Sequence, residues 1–449
     1  MNNKGIFENM TVPRAVAKLA IPTVLSQLVV LIYNLADAFF VGHTNDPSQI
    51  AALTVSFPIF MCLTMVANLF GIGANSFMSR SLGEKKPENA RKASTFGFYG
   101  AFIAVGFLIL ILNLFNGPIF RMAGAVTEST FKHTSSYLFW TFSLGGIPTV
   151  GSMVLAHLIR SEGNTKQASV GVTLGGILNI VLDWLFVSGF GMGIGGAGIA
   201  TFISNLVSFL YLLTVALRTK DSVIVLHPLK LRFDKNIVGS VILVGIPAAA
   251  VIILGTVANI LLTNSMSSYG DISIAAQGTV QKIGSVGIQI TVGLTQGIMP
   301  LLGYCYGAGN LKRFKSVSNL SFVVLAVYAG FCIALAEIFA EPLLHIFTSE
   351  AQTVEKGIAF IRIWFLCVPG MCFTNLFGAI FQSMGRWLQS LLLSVIRQLV
   401  LLIPLLIILK NFGGETGLMS AQPIADTLTL IMGFIMYITA MKKTKEASE

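Results

Sequence analysis

Residues 19–43 read LAIPTVLSQLVVLIYNLADAFFVGH, an apolar run that contains one acidic residue, Asp37. A helix of about 20 apolar residues is long enough to cross the hydrocarbon core of a bilayer. Similar runs recur along the whole chain of 449 residues, which is 54% hydrophobic and only 11% charged. Soluble domains carry about 25% charged residues. The sequence therefore predicts an all-α membrane protein.

The apolar runs predict twelve transmembrane helices. We place them near residues 15–41, 50–75, 93–115, 133–155, 167–188, 195–218, 237–263, 274–300, 316–338, 356–380, 387–410 and 417–441. Most of the 29 Lys and Arg residues fall at the two termini or in the loops after even-numbered helices, and Arg160 is counted among the loop residues. Because cytoplasmic loops hold the excess of basic residues, we expect both termini in the cytoplasm and a multi-pass protein of the bacterial inner membrane.

Short landmarks in the first half of the chain recur in the second half. The Ile-Pro step at Pro22 recurs at Pro247, and Gly83 in a polar loop recurs as Gly307, so the two series are about 220 residues apart. Six helices in each half place both repeats in the same orientation, which predicts two six-helix lobes related by a parallel pseudo-two-fold repeat. The predicted units are an N-terminal lobe (1–217), a cytoplasmic connector (218–235) and a C-terminal lobe (236–449).

Two acidic residues, Asp37 and Asp183, lie inside predicted helices near their outer ends. A charge at the centre of a spanning helix costs roughly 2.5–3.5 kcal/mol and indicates function. Tyr33 and Asn179 each lie one turn before an Asp on the same helix face, and Thr201 lies at similar depth. Nearby carboxylates in a low dielectric favour binding a proton, and such oxygen ligands also suit a hard cation. The alternative is that each Asp caps its helix or contacts headgroup water.

A weaker signal lies in the second half, where Asp426 falls in the outer part of the last helix. It is a candidate for a second polar site together with Lys282 and Arg397, the two basic residues left inside helices. The alternative is that Asp426 forms an ion pair with one of those bases and holds helices together.

Further polar residues and one proline are candidates for the transport pathway. Tyr33, Asn205 and Gln281 interrupt apolar helices and are predicted to face a substrate cavity. Pro22 removes a backbone hydrogen bond within its helix, which makes it a natural place for bending.

No sequence motif indicates catalysis or a cofactor. The five cysteines lack the spacing of a disulfide framework or a metal site. The net charge of +10 is distributed over alternate loops, which favours membrane topology over nucleic-acid binding. We therefore expect a monomeric transporter among membrane lipids, not an enzyme.

The sequence resembles the MATE family of multidrug and toxic compound extrusion transporters, bacterial branch, along essentially its whole length. The stretches that carry the resemblance are residues 19–43 above, SRSLGEKKPENARK (79–92), LIRSEGNTKQA (158–168), NIVLDWLF (179–186) and GIGGAGIATFIS (193–204). The resemblance implies two lobes that export drugs in exchange for entering H⁺ or Na⁺.

The resemblance also implies a cation site in the N-terminal lobe. It falls on Asp37, Asn179, Asp183 and Thr201, with the carbonyl of Ala197 and a supporting network of Tyr33 and Asn34. The expected substrates are lipophilic or cationic drugs and dyes, because two acidic residues that face a cavity with otherwise apolar, Met-containing walls complement a positive charge. The alternative is a lipid-linked sugar flippase of the same broad superfamily, which would carry several basic residues in its cavity.

Overall fold

The computed structural model describes residues 4–44, 46–227 and 234–446, and part of the expected connector 218–235 lies outside these ranges. All regular secondary structure within them is helical, which confirms the all-α prediction. The long helices are α1 (Val12–Gly42), α2 (Pro47–Gly83), α3 (Pro87–Leu114), α4 (Glu128–Leu144 with Gly146–Ser161), α5 (Thr165–Gly189), α6 (Gly193–Arg218), α7 (Lys235–Tyr269), α8 (Asp271–Gly307), α9 (Leu311–Ile338), α10 (Ala351–Phe365 with Val368–Ser383), α11 (387–413) and α12 (415–446). Short helices occupy Lys4–Glu8, Asn116–Met122 and Ala340–His345.

The number of spans depends on how three long segments are divided. Among the described residues, nine helices are long and apolar enough to cross a membrane, or eleven when the bent pairs α4 (48°) and α10 (42°) are each counted as one span. The helices α11 and α12 count there as one segment of 58 residues, which would extend about 87 Å if straight. Gly414 has non-helical φ and ψ angles of 57° and −135°. A Cβ atom at Gly417 would lie 2.2 Å from the carbonyl oxygen of Leu409, so the chain folds back and forms two spans, which makes twelve.

The helices extend beyond the apolar runs that predicted them, as α2 illustrates. Its predicted range was 50–75, whereas the helix runs from Pro47 to Gly83. At its start, the Asp46 side chain accepts hydrogen bonds from the Ser48 hydroxyl at 2.7 Å and from the Ser48 backbone N–H at 2.9 Å. The bond from the hydroxyl is the main reason that the pKa of Asp46 lies below its usual range. At its end, buried polar residues such as Ser79 continue the helix between neighbouring helices. Hydropathy marks the apolar run and misses these polar ends.

Two hydrophobic cores occupy the two halves of the molecule, and α1 contributes to both sides. One core is built from residues between 41 and 241, and the other from residues between 258 and 441 together with the chain between 6 and 20. The early part of α1 packs against α8, where Cβ atoms at Gly293 and Gly297 would lie 2.5 and 2.7 Å from the Cα atoms of Val24 and Ala20. The later part of α1 carries Asp37. The helix therefore connects the two halves.

The halves also contact each other at the end of the molecule that carries the N-terminus. The Ser76 hydroxyl of α2 donates to the carbonyl oxygen of Gln382 in α10 at 2.5 Å. The Tyr304 hydroxyl of α8 donates to Glu8 of the N-terminal helix at 2.5 Å. These contacts join the two halves on that side.

Candidate functional site

A cavity of about 330 Å³ lies mainly within the N-terminal half and is completed by residues of α7 and α8. This volume is at the lower end of the range for small-molecule sites. Its polar lining includes Gln27, Tyr33, Asn34, Asn68, His157, Arg160, Asn179, Thr201, Asn205, Gln289 and Gln296, and its apolar lining includes Val30, Phe60, Met61, Met153, Val172 and Ile252. The walls therefore combine amide and hydroxyl groups with adaptable apolar side chains.

Asp37 lies on α1 and is held by a tyrosine from α4. The Tyr137 hydroxyl donates a hydrogen bond to Oδ2 of Asp37 at 3.1 Å. Tyr137 comes just before the π-helical turn Phe139–Leu144, a local widening of the helix that often occurs at functional sites. The other carboxylate oxygen of Asp37 is buried and has no hydrogen-bond partner among the described residues.

Asp183 is the last residue of the α-helical part of α5, before the π-helical turn Trp184–Gly189. It is completely buried, and neither of its carboxylate oxygens has a hydrogen-bond partner within the described parts of the chain. It interacts electrostatically with Asp37. The two carboxylates therefore form one buried acidic group from two helices.

Asn179, one turn before Asp183 on α5, and Thr201 of α6 meet at the cavity wall. The Asn179 side-chain amide donates to the Thr201 hydroxyl at 3.4 Å, and both residues line the cavity. The approach of α5 to α1 depends on Gly176, where a Cβ atom would lie 2.6 Å from the Val29 side chain. Ala197 is buried one turn before Thr201 on α6.

The chemistry of this group suits a cation or a proton. Four buried oxygen atoms of Asp37, Asn179 and Asp183 have no hydrogen-bond partner among the described residues. Within the same residues, neither Asp forms an ion pair with a basic side chain. Burying an unpaired charge is costly, and a bound cation or proton would remove that cost.

The predicted cavity residues are not all found together. Tyr33, Asn34 and Asn205 line the cavity, whereas Gln281 does not line it and instead accepts a hydrogen bond from Asn259 at 3.2 Å. The acidic pair was expected to face the cavity, but neither Asp lines it; Asn179 and Thr201 lie on the cavity wall instead.

In the C-terminal half, Asp426 pairs with Arg397. Nε of Arg397 lies 2.5 Å from Oδ1 of Asp426, and the Gln422 side chain donates to Oδ2 at 2.8 Å. Both carboxylate oxygens are therefore bonded. Lys282, the third residue of the predicted polar group, is exposed and forms no ion pair with another described residue.

Sequence reasoning missed two residues at this site. Tyr137 contacts Asp37 across helices, and the only sequence signal was a tyrosine near the outer end of the fourth helix. Arg160 was counted as a loop residue, but it lies in the last turn of α4, is 3% exposed and lines the cavity. The prediction failed because the fourth apolar run ends before the helix does.

Known proteins match this architecture over nearly the whole chain. The multidrug export protein MepA of Staphylococcus saprophyticus is 28% identical over 449 residues, covering 99% of this chain and 97% of that protein. MepA of Staphylococcus aureus has the same identity and coverage. Among solved structures, the outward-facing conformation of a multidrug resistance MATE family transporter of the MOP superfamily superposes with a TM-score of 0.93 at 22% identity, covering 99% of both chains.

A MATE structure in the bent conformation has a TM-score of 0.91 at 22% identity, and the match covers 100% of this chain and 99% of that one. The family model described as MatE matches the chain twice, at residues 22–185 and 247–408. The two matches begin 225 residues apart, as the landmark repeats predict. This multi-pass membrane protein belongs to the MatE family.

Proposed function

We propose that this protein exports structurally varied drugs from a bacterial cell in exchange for entering H⁺ or Na⁺. The observation that carries the proposal is the buried Asp37–Asp183 group, with unpartnered oxygens, beside a cavity that both halves line. Relatives named as multidrug export proteins support the drug-export part. The transporter moves its substrates without converting them and works as a monomer.

The coupling ion binds at Asp37 and Asp183. Asn179, Thr201 and the Ala197 carbonyl complete its surroundings, while Tyr33 and Asn34 support them from α1. Antiport requires that the ion and the drug favour different conformations of the transporter. A ligand that binds both conformations with equal affinity does not shift the equilibrium between them. Asn179 and Thr201 both line the cavity and belong to the proposed ion site, so a change at the carboxylates reaches the drug through the cavity wall.

The moving element is α1. Its early part packs on α8 and its later part carries Asp37. Pro22 lies within the early part, between the contact residues Ala20 and Val24, where a missing hydrogen bond permits bending. Ion binding at Asp37 thus changes the contact between the halves. One charge crossing about 100 mV supplies roughly 2.3 kcal/mol, enough for a drug gradient of about fifty-fold.

Orientation follows the distribution of basic residues. Both termini lie in the cytoplasm, and the protein resides in the inner membrane. The Ser76–Gln382 and Tyr304–Glu8 contacts then close the cytoplasmic side. The lobes that move against each other are residues 1–217 and 236–449, joined by 218–235.

The proposal is tested by dye efflux from a pump-deficient bacterium. Cells that express the protein should extrude ethidium, and collapse of the gradient of the coupling ion, H⁺ or Na⁺, should stop extrusion. The Asp183→Asn variant, expressed at the same level in the membrane, should not extrude the dye. No extrusion of any dye in a cationic panel, despite membrane insertion, would contradict the proposal and favour the lipid-linked sugar flippase.

A further inference from the structure

Arg160 gives the cavity a positive charge that cation transport does not use. It ends α4 and is 3% exposed. Of the described residues that line the cavity, Arg160 alone carries a formal charge. A lipophilic cation entering this space meets a like charge, whereas an anionic group meets an opposite one.

The Arg160 guanidinium has no protein partner that explains its burial. Within residues 4–44, 46–227 and 234–446 it forms no ion pair, and its Nε has no hydrogen-bond acceptor. A buried charge is stable only when it is paired and hydrogen-bonded. The guanidinium presents several donors in a planar fork that matches the two oxygens of a carboxylate.

The side chains around Arg160 suit an anion as well. His157 lies one turn earlier on α4, lines the same cavity and interacts electrostatically with Arg160. Its ring packs at Gly71 of α2, where a Cβ atom would lie 2.7 Å from it, and Asn75 donates to its backbone oxygen at 3.0 Å. The side chain of Asn68 also lines the cavity. Each of these side chains can donate a hydrogen bond to an anion beside Arg160.

The acidic pair does not neutralise this charge. The helical stretch Thr165–Asp183 separates the end of α5 next to Arg160 from the carboxylates by 19 residues, which is about 28 Å along the axis. The basic end of the cavity and the ion site are therefore separate.

We propose that Arg160 is a specificity-determining residue of the cavity, which binds the carboxylate of transported amphiphiles. The proposal rests on the export function above and specifies which substrates that function serves. A membrane lipid carries comparable chemistry in its phosphate, and the experiment below separates the two sources.

Rhodamine 110 and its methyl ester rhodamine 123 form a matched pair of probes, because they differ in whether the carboxyl group is charged. Binding of each dye to the purified protein in detergent is measured by fluorescence polarisation. The wild-type protein should prefer rhodamine 110. Arg160→Gln should lower this acid-over-ester preference by about tenfold or more, as expected for a lost charged hydrogen bond.

Two further variants separate charge from folding. Arg160→Lys should keep part of the preference, because it keeps the charge without the planar fork. Arg121→Gln, at an exposed arginine outside the cavity, should keep all of it. A wild-type protein with no preference for the acid, or an Arg160→Gln protein with an unchanged preference, would overturn the inference.

Other results have distinct meanings. A wild-type protein that binds neither dye contradicts the export function itself. A wild-type protein that binds both dyes equally leaves export standing and overturns only the carboxylate site. Displacement of rhodamine 110 by phosphatidylglycerol, but not by phosphatidylcholine, would assign Arg160 to a lipid phosphate and overturn its assignment to a transported carboxylate.

Discussion

In the N-terminal half, Asp183 is fully buried and neither of its oxygens is hydrogen-bonded within the described residues, whereas in the C-terminal half the equally buried Asp426 has both oxygens bonded. Arg397 supplies the positive charge for Asp426 at 2.5 Å. Asp183 forms no ion pair with a described residue, and it interacts with a second carboxylate, that of Asp37. One half therefore carries its own cation, and the other half suits a cation that arrives from outside.

The difference shows that repeated architecture does not imply repeated chemistry. The family model matches both halves, and π-helical turns occur beside Asp183 in α5 and at Arg397 in α11. In the first half, the turn follows an acid without a basic partner. In the second half, the turn contains the base. We infer that Asp426 and Arg397 hold α11 and α12 together, and that coupling belongs to the first half.

The largest expected effect is on stability in the C-terminal half. Arg397→Met leaves Asp426 buried without its charge partner, which should lower the free energy of unfolding by about 3–5 kcal/mol. The double variant Arg397→Met, Asp426→Leu removes both charges and should be close to the wild-type protein. Thermal unfolding in detergent measures both. Equal stability of the single and the double variant would show that the pair is not structural.

The second-largest expected effect is stabilisation by the coupling cation, which should depend on Asp183 in the first half and not on the Asp426–Arg397 pair in the second half. A ligand that binds only the folded state stabilises it by about 2.7 kcal/mol at a hundredfold excess over its Kd, so the coupling ion, H⁺ or Na⁺, should raise the Tm of the wild-type protein. Asp183→Asn should abolish that rise, and the double variant of the C-terminal pair should keep it. A normal cation response from Asp183→Asn would move the ion site elsewhere.

A smaller effect is expected for the neutral ligands. Asn179→Ala and Thr201→Ala each remove one neutral oxygen from the ion site. Each should weaken cation binding by about 1 kcal/mol, as expected for one lost polar interaction, without abolishing transport. Titration of the Tm with the coupling ion measures the affinity. Losses as complete as that of Asp183→Asn would show that these residues do more than complete the ligand set.

The smallest effect is expected at a buried carboxylate that does have partners. Glu162, in the loop after α4, accepts hydrogen bonds from the Ser222 hydroxyl at 2.8 Å and the Val223 backbone at 2.6 Å. Burial nevertheless raises the pKa of Glu162, and these bonds oppose the rise. The folded state therefore favours the protonated form of Glu162. The stability that this protonation contributes is present at low pH and is lost as the pH rises through the raised pKa.

Glu162→Gln keeps a hydrogen-bond acceptor without the charge. It should slightly raise the Tm at neutral and alkaline pH, and the difference should vanish below the ordinary glutamate pKa of about 4.3. The coupling of drug export to the ion gradient should be unchanged in Glu162→Gln, because burial of a carboxylate is not sufficient to form an ion-binding site. Loss of gradient-driven export in Glu162→Gln would contradict that distinction.

Much of the fold and part of the site follow from local sequence. Apolar length gives the helices, and their direction places Asp37, Asp183 and Thr201 at similar depth. The sequence could not predict contacts that depend on packing between helices far apart in the chain. The bond from Tyr137 to Asp37 spans 100 residues, and the choice of Arg397 over Lys282 as partner of Asp426 depends on how α11 and α12 pack.

Helix ends were the other source of error. Arg160 was counted as a loop residue because hydropathy falls before α4 ends. Arg160 lies in the cavity wall because polar residues continue α4 beyond its apolar run, among the neighbouring helices. The acidic pair was expected on the cavity wall, but Asn179 and Thr201 occupy that wall instead. Sequence depth therefore grouped the two Asp residues with Asn179 and Thr201, but it did not predict which of these side chains face the cavity.

Gradient-driven transport in proteoliposomes tests the central claim most directly. Ethidium accumulation is followed under an imposed pH or Na⁺ gradient for the wild-type protein, Asp37→Asn, Asp183→Asn, and the Arg397→Met, Asp426→Leu double variant. The account predicts accumulation against the dye gradient by the wild-type protein and the double variant, whereas both Asp→Asn proteins only equilibrate dye downhill. Wild-type accumulation by both Asp→Asn proteins, with loss of accumulation in the double variant, would place coupling in the C-terminal half and contradict the account.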